Sequence, residues 1–174
     1  TIGWSGSFST IQHLDTIRDV LQELAKTEQF RLCIIGTPQY KIPEVDVEAF
    51  QWRSETEIAD LRQIDIGLMP LPDDNWSKGK CGLKALQYMA LGIPTICSPV
   101  GVNSTIIKDG ENGFLADNKE EWIEKIKLLI HSPELRRKLG RAGRVTVERE
   151  YSAKVVAPKV LEIFRSAAKK SQQV

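Results

Sequence analysis

The stretch KALQYMALGIPTI, residues 84–96, joins a predicted helix to a predicted strand. The helix covers residues 83–91 and ends at Gly92, a residue type that commonly follows a helix C-terminus. Residues 94–97 then form a short run that favours a buried strand. A helix that leads through a tight turn into an apolar strand is typical of α/β proteins.

The same alternation of strands and helices runs along the rest of the chain. Apolar runs predict strands at residues 30–35, 64–69 and 113–115, with shorter ones starting at Ile2 and within 45–52. Capping signals predict helices that begin at Ser9 (with Gln12), Ser54 (with Glu57), Asp117 (with Glu120) and Ser132 (followed by Pro133). The predicted fold is a doubly wound, mainly parallel, Rossmann-like α/β sheet.

Composition and charge are those of an ordinary globular domain. The chain has 174 residues, of which 41% are hydrophobic and 27% charged, and its formal net charge is +1. We therefore predict one domain over residues 1–174 and no nucleic-acid partner, since nucleic-acid-binding domains are usually clearly basic. No apolar run approaches the roughly 20 residues of a membrane span. Three widely spaced cysteines favour neither a disulfide framework nor a zinc site, which indicates a reducing, cytoplasmic compartment.

Three loops follow predicted strands at the sheet edge where such folds bind ligands: residues 5–10, 73–82 and 98–105. The middle loop, DDNWSKGKCG, leads directly into a helix, whose N-terminal N–H groups attract anions. Gly79 and Gly82 allow a ligand close to the backbone. Lys80 and Lys84 add positive charge suited to phosphate. We predict an anion site here; the alternative is a solvated, charged loop.

Several common catalytic and nucleotide-binding motifs are absent. Gly79-Lys80-Cys81 lacks the spacing of a P-loop, and Gly3-Trp4-Ser5-Gly6 lacks the dinucleotide fingerprint. No Gly-x-Ser-x-Gly motif occurs, and neither His13 nor His131 is assigned a role. The hydroxyls of the loop after the first strand, Ser7 among them, could meet a phosphate; a plain helix cap is the alternative.

Four segments taken together, in order, carry a resemblance to a known family. They are IDIGLMPL (64–71), KALQYMALGIPTI (84–96), SPVGVNSTII (98–107) and DGENGFLA (109–116). This pattern resembles the C-terminal, donor-binding half of retaining glycosyltransferases of family four, which have the GT-B fold, and in particular those that build bacterial surface polysaccharides. The resemblance spans nearly the whole chain. The chain has no initiator Met, and Thr1 leads straight into a predicted strand, which fits a domain of a longer protein; a trimmed terminus is the alternative.

The resemblance implies that the chain binds a nucleotide-sugar, UDP- or GDP-linked, with no metal and no other cofactor. The hexose would pass, with retention, to a glycan or lipid-linked acceptor bound mainly by an N-terminal half. Lys80 and Lys84 would then be catalytic, because positive groups aimed at the leaving diphosphate stabilise its charge.

The family's donor-binding positions carry over one by one. Trp52 and Arg53 fall where the family holds the base, although Trp52 could equally be a core or rim aromatic. Gln87 falls at the acid that binds the ribose. Gly79 falls at a second family glutamate, which faces the sugar, while Cys81 and Gly82 would offer backbone groups to sugar and phosphate. Both family glutamates are therefore replaced, and the Arg and Lys that many members carry after the first strand are missing.

Three alternatives remain open. The loss of both glutamates also fits a non-catalytic nucleotide-sugar-binding module. A flavodoxin- or receiver-like signalling domain has a similar sheet, although Gly3-Trp4-Ser5 lacks the acidic pair of a receiver.

Residues 135–150 carry six basic side chains against two acids. This fits either peripheral contact with an anionic inner membrane face or simply a solvated helix face.

Overall fold

The computed structural model describes residues 1–171, and within them six parallel strands form one sheet. The strands are β1 (Ile2–Ser5), β2 (Leu32–Ile35), β3 (Val47–Phe50), β4 (Ile66–Met69), β5 (Thr95–Cys97) and β6 (Phe114–Leu115). Their order is β3-β2-β1-β4-β5-β6, and each neighbouring pair is parallel. This is the order of a doubly wound Rossmann-like sheet, so the predicted fold class is confirmed.

Helices connect these strands and follow the last of them. In chain order they are α1 (Gln12–Asp15), α2 (Arg18–Ala25), α3 (Glu57–Leu61), α4 (Asn75–Lys78), α5 (Leu83–Ala90), α6 (Asn103–Ile106), α7 (Lys119–His131), α8 (Pro133–Thr146) and α9 (Ala153–Ser171). A π-helical segment, Val147–Tyr151, joins α8 to α9. Within residues 1–171, no helix is both long and apolar enough to cross a bilayer.

Hydrophobic side chains cover both faces of the sheet. On one face, Trp4 of β1 and Leu68 of β4 belong to the same cluster as Trp122 of α7. On the other face, Ile35 of β2 packs in a cluster with Tyr88 of α5. Burial on both sides explains why the inner strands β2 and β4 are continuous apolar runs, whereas β3 at the sheet edge includes the exposed Glu48.

Two glycines fix the position of α5 on the sheet. A Cβ on Gly67 of β4 would lie 2.5 Å from Cδ2 of Tyr88, so the helix rests directly on the strand there. Gly92 ends the helix with φ +73°, the left-handed conformation predicted at this C-terminus. The predicted helix–turn–strand unit is therefore present, with the helix at Leu83–Ala90 and the strand at Thr95–Cys97.

The predicted helix starts are confirmed in one case and wrong in three. Ser132 caps α8, since its side chain accepts a hydrogen bond from the Leu135 N–H at 3.1 Å. The cap of α7 is Asn118, one residue after the predicted Asp117, and it accepts from the Glu121 N–H at 3.0 Å. An asparagine side chain makes this cap as well as an aspartate does, so composition alone did not separate the two neighbours.

Ser9 and Ser54 do not cap helices because each hydroxyl has another partner. The Ser9 hydroxyl is 2.9 Å from that of Ser7, and the first helix begins only at Gln12. The Ser54 hydroxyl donates to the neighbouring Glu55 carboxylate at 2.7 Å. Glu57 is consequently not part of a capping box: it opens α3, and its carboxylate is engaged elsewhere.

Candidate functional site

A cleft of about 680 Å³ opens at the carboxyl edge of the sheet, where β1 and β4 lie side by side. The chain leaves these two strands in opposite lateral directions, which is the place where open α/β sheets bind ligands. Ser5 and Met69, the last residues of the two strands, are in the cleft lining. The other lining residues come from the loops after β1, β2 and β3, from α3, and from residues 79–87.

The N-terminus of α5 forms one wall of this cleft. Its N-cap is Gly82, with φ +70° and no side-chain cap, so no side chain satisfies the first helical N–H groups. A Cβ at Gly82 would lie 2.4 Å from Cδ1 of Ile106, which reserves this position for glycine. Unsatisfied N–H groups and the positive end of the helix dipole together make this wall attractive to anions.

Two of the three lysines in this region lie in the cleft. Lys80 and Lys84 belong to its lining, whereas Lys78 pairs with Asp73 at 2.8 Å on the surface. The Lys84 Nζ lies 5.2 Å from the centroid of the buried Trp4 ring, and the Lys80 Nζ lies 5.7 Å from that of Trp76. Burial, together with the nearby charge of Lys80, lowers the pKa of Lys84 to about 8.

A second part of the cleft lining is built around a carboxylate. Glu57 Oε1 accepts hydrogen bonds from Trp52 Nε1 at 3.0 Å and from Gln87 Nε2 at 3.1 Å. These contacts bring together the loop after β3, the start of α3 and the middle of α5. The cleft therefore has a cationic wall and an anionic wall.

The serine-rich loop after β1 forms part of the rim of the cleft. Its hydroxyls bond mainly within the loop: Ser7 Oγ lies 2.9 Å from Ser9 Oγ, and the Ser7 N–H donates to Thr10 Oγ1 at 3.0 Å. Phe8, at the tip, is 83% exposed although it borders the cleft. The loop is thus internally organised and presents an aromatic ring to the open side.

His13 lies behind the cationic wall. The side chain is buried, and its Nδ1 has no hydrogen-bond partner among the described residues. Burial lowers the pKa of His13, and the positive charges of Lys80 and Lys84 lower it further, with only Asp74 acting in the opposite direction. Its environment therefore favours the neutral imidazole.

The structure brings eight of the nine predicted site residues to this one cleft: Ser7, Trp52, Gly79, Lys80, Cys81, Gly82, Lys84 and Gln87. Arg53 is exposed and is not in the lining. Sequence reasoning missed Glu57, which looked like a capping residue, and Phe8, which carries no motif. His13 was missed as well, because a lone histidine among helical residues shows nothing of its surroundings. No group of three or more His, Cys, Asp or Glu within residues 1–171 is arranged to hold a metal ion.

Known proteins share this fold and parts of this sequence. EpsD of Bacillus subtilis (strain 168) is 40% identical over 77 residues, which are 43% of this chain and 20% of EpsD. The capsular polysaccharide biosynthesis glycosyltransferase CapM of Staphylococcus aureus is 29% identical over 94 residues, which are 52% of this chain and 24% of CapM. Anabaena Alr3699/HepE, solved in complex with UDP-glucose, superposes with a TM-score of 0.75 at 14% identity, over 95% of this chain and 48% of HepE.

The sheet order, the cleft and the superposition are those of one Rossmann-like half of a GT-B glycosyltransferase. The sequence model of the family described as "Glycosyl transferases group 1" matches residues 1–146, and the chain belongs to this family. The matched segments span only about a fifth of the length of EpsD and a quarter of that of CapM.

Proposed function

We propose that this chain binds the nucleotide-sugar donor of a retaining glycosyltransferase that transfers a hexose to a glycan or lipid-linked acceptor. The observation that carries the proposal is one cleft that combines the uncapped N-terminus of α5 with Lys80 and Lys84. Family membership, and the UDP-glucose bound to HepE, support a UDP- or GDP-linked donor. The similarity to CapM supports a role in polysaccharide synthesis.

The cationic wall suits the charge that develops during transfer. Breaking the bond between the sugar and the diphosphate leaves negative charge on the diphosphate. Helix N–H groups, Lys80 and Lys84 are in place before the reaction, so they stabilise this charge without reorganising. In the proposed reaction the two lysines are the catalytic groups of this chain, and neither a metal nor another cofactor takes part.

The other predicted residues receive donor-binding roles by their position. Ser7 and the backbone of Gly79, Cys81 and Gly82 line the cleft together with the lysines, and in our proposal they contact the phosphates and the transferred sugar. Trp52 and Gln87, which both contact Glu57, are assigned to the nucleoside. Arg53, which follows Trp52 on the surface, would act only at the outer edge of the base.

The acceptor is assigned to a part of the protein outside this chain. This chain covers 48% of HepE, as expected of one of the two halves of a GT-B enzyme. We propose that it is the C-terminal half, that the acceptor binds the N-terminal half, and that this domain alone binds donor without transferring sugar. We keep the cytoplasm as the proposed location, which rests on the cysteine pattern.

Contact with an anionic membrane surface remains a secondary proposal for the basic face of α8. Arg136 donates to the carbonyls of Leu129 and Ile130, and Arg144 donates to that of Ala90, so two of the six basic side chains have structural partners. Arg137, Lys138 and Arg141 remain exposed. Replacing these three by serine should abolish sedimentation with anionic vesicles. If sedimentation is unchanged, the basic residues form only a solvated helix face.

Calorimetric titration tests the donor site directly. The chain is titrated with UDP, GDP and their common sugar conjugates, with a chelator present. We expect one nucleotide to bind, Lys84→Ala to weaken it about ten- to hundredfold, and Lys138→Ala, which removes an exposed lysine outside the cleft, to leave it unchanged. If no nucleotide binds either this chain or the longer protein, the proposal is wrong.

The non-catalytic module remains the second candidate, because Gly79 and Gln87 stand where the resembled family has glutamates. The two candidates agree on donor binding and differ in turnover. A radiolabelled donor, incubated with the longer protein and cell-envelope acceptors, separates them. Transfer that Lys84→Ala abolishes supports the enzyme, whereas donor binding without transfer supports the module.

A further inference from the structure

Among the described residues that line the cleft, Glu57 is the one acid. It is the first residue of α3 and is half-buried, and its carboxylate bonds to Trp52 and Gln87 rather than to either lysine. A carboxylate in a cleft whose lysines and helix N-terminus attract anions needs an explanation, because it repels a phosphate. It must therefore face a part of the ligand that carries no negative charge.

Glu57 is held in place by two donors on the same oxygen. Trp52 Nε1 and Gln87 Nε2 both donate to Oε1, at 3.0 and 3.1 Å. Within residues 1–171, Oε2 has no hydrogen-bond partner. A carboxylate accepts about four hydrogen bonds, so the oriented group retains free acceptor capacity.

Gln87 makes a contact that the sequence did not suggest. Its Nε2 donates to Glu57, and this bond between α5 and α3 determines where the carboxylate points. The amide thus positions the acid that the nucleoside meets. The carboxylate absent from α5 is supplied by α3, 30 residues earlier in the chain.

A nucleoside diphosphate matches this arrangement of charge. Its diphosphate is anionic and suits the wall of Lys80 and Lys84, while its ribose carries two adjacent hydroxyls, which are donors for a carboxylate. Hydroxyl-to-carboxylate hydrogen bonds are among the stronger neutral-to-charged ones. The exposed indole of Trp52 lies beside the carboxylate, where a base attached to that ribose would find an aromatic surface.

We propose that Glu57, positioned by Trp52 and Gln87, is the acceptor of the ribose hydroxyls of the donor nucleotide. This assignment rests on the proposed function, because it requires a nucleoside diphosphate in the cleft. It makes Glu57 the residue by which this chain distinguishes ribonucleotides from deoxyribonucleotides.

The test compares each ribonucleoside diphosphate with its 2′-deoxy counterpart by calorimetry. The wild type should bind the ribonucleotide about ten- to hundredfold more tightly, because the deoxy form leaves the carboxylate without one donor. Glu57→Gln should lower ribonucleotide affinity by a similar factor and remove most of the discrimination. Its affinity for inorganic diphosphate, which lacks a ribose, should not fall.

Two further variants separate binding from structure. Glu55→Gln changes an exposed acid two residues away, outside the cleft, and should behave as the wild type. The exchange Glu57→Gln with Gln87→Glu keeps an amide–carboxylate pair across the same contact and should restore part of the discrimination. If Glu57→Gln alone loses binding because it folds poorly, the double exchange, which preserves the pair, should recover that binding.

The outcomes distinguish this assignment from the proposed function. If ribonucleotides bind but the deoxy forms bind equally well, or Glu57→Gln retains the wild-type ratio, the assignment of Glu57 is overturned and the donor site stands. If no nucleoside diphosphate binds, the proposed function is overturned, and the assignment falls with it.

Discussion

The hydroxyl of Tyr88 accepts a hydrogen bond of 2.8 Å from the backbone N–H of Ser5, a residue 83 positions earlier in the chain. Tyr88 lies in the middle of α5, and Ser5 is the last residue of β1. The bond is buried, and the tyrosine ring packs directly over Gly67 of β4. One side chain thus ties the helix of the cationic wall to the strand end from which the rim loop starts.

Removing this hydroxyl should destabilise the protein. Tyr88→Phe leaves the Ser5 N–H buried without a partner, and we expect the free energy of unfolding to fall by about 1–3 kcal/mol. Tyr40→Phe is the matched control: its hydroxyl donates to Asp15, which keeps Arg18 as a partner, so a smaller loss is expected. Urea denaturation of the three proteins measures both. Equal losses would show that the Tyr88–Ser5 contact contributes no more to the free energy of unfolding than the Tyr40–Asp15 contact does.

Gly82 should tolerate no side chain. In Gly82→Ala the new Cβ meets Ile106 Cδ1 at 2.4 Å in a left-handed conformation, so both unfolding free energy and diphosphate affinity should fall. Gly110 has a similar φ, +76°, but nothing within 4 Å of a Cβ. Gly110→Ala therefore measures backbone strain alone, about 1 kcal/mol. Binding that survives Gly82→Ala unchanged would argue against the helix N-terminus as an anion site.

Donor affinity should depend on pH through Lys84. With its pKa lowered to about 8, the amine is largely charged at pH 7 and largely neutral at pH 9. A terminal phosphate has its last pKa at about 6, so UDP is mostly ionised at pH 7 and loses no negative charge above it. The affinity for UDP should therefore fall by up to about tenfold as the pH rises. Lys84→Arg keeps its charge and should bind equally at both pH values. A pH-dependent affinity in Lys84→Arg would assign the titration to another group.

Acid should destabilise the fold through His13. The pKa of His13 is lowered in the folded protein, so the unfolded chain, near its ordinary value of about 6.5, binds the proton more readily. Stability contributed by the neutral imidazole is therefore present above about pH 6.5 and is lost as the pH falls below it. Unfolding free energies at pH 7.5 and 5.5 should differ more in the wild type than in His13→Leu. Equal differences would exclude His13 as the source.

Local patterns in the sequence were sufficient for the fold and for the cationic wall. The strands are apolar runs bounded by loop residues, and Gly79, Lys80, Gly82 and Lys84 lie within six residues of one another. Because the carboxyl ends of parallel strands share one edge, a loop that follows β4 and precedes a helix has to lie at the ligand-binding edge. The positions of these residues followed from chain order alone.

The caps show where local patterns fail. Asn118 and Asp117 are adjacent and chemically alike, and the hydroxyl of Ser54 has a carboxylate next to it that competes for the bond. Differences of this kind amount to less than about 1 kcal/mol, and the surrounding packing decides between them.

The sequence by itself determined the order of the elements, the two-sided burial of the sheet and the positive loop, because each depends on residues close together in the chain. Only the tertiary structure decided the anionic wall. Glu57 and Gln87 are 30 residues apart, on different helices, and meet only because α3 and α5 converge at the same edge of the sheet. His13 was brought near the lysines in the same way, although it does not line the cleft. The contacts that a side chain makes across the fold set its charge and its free hydrogen-bonding capacity. The residues next to it in the sequence do not show these contacts.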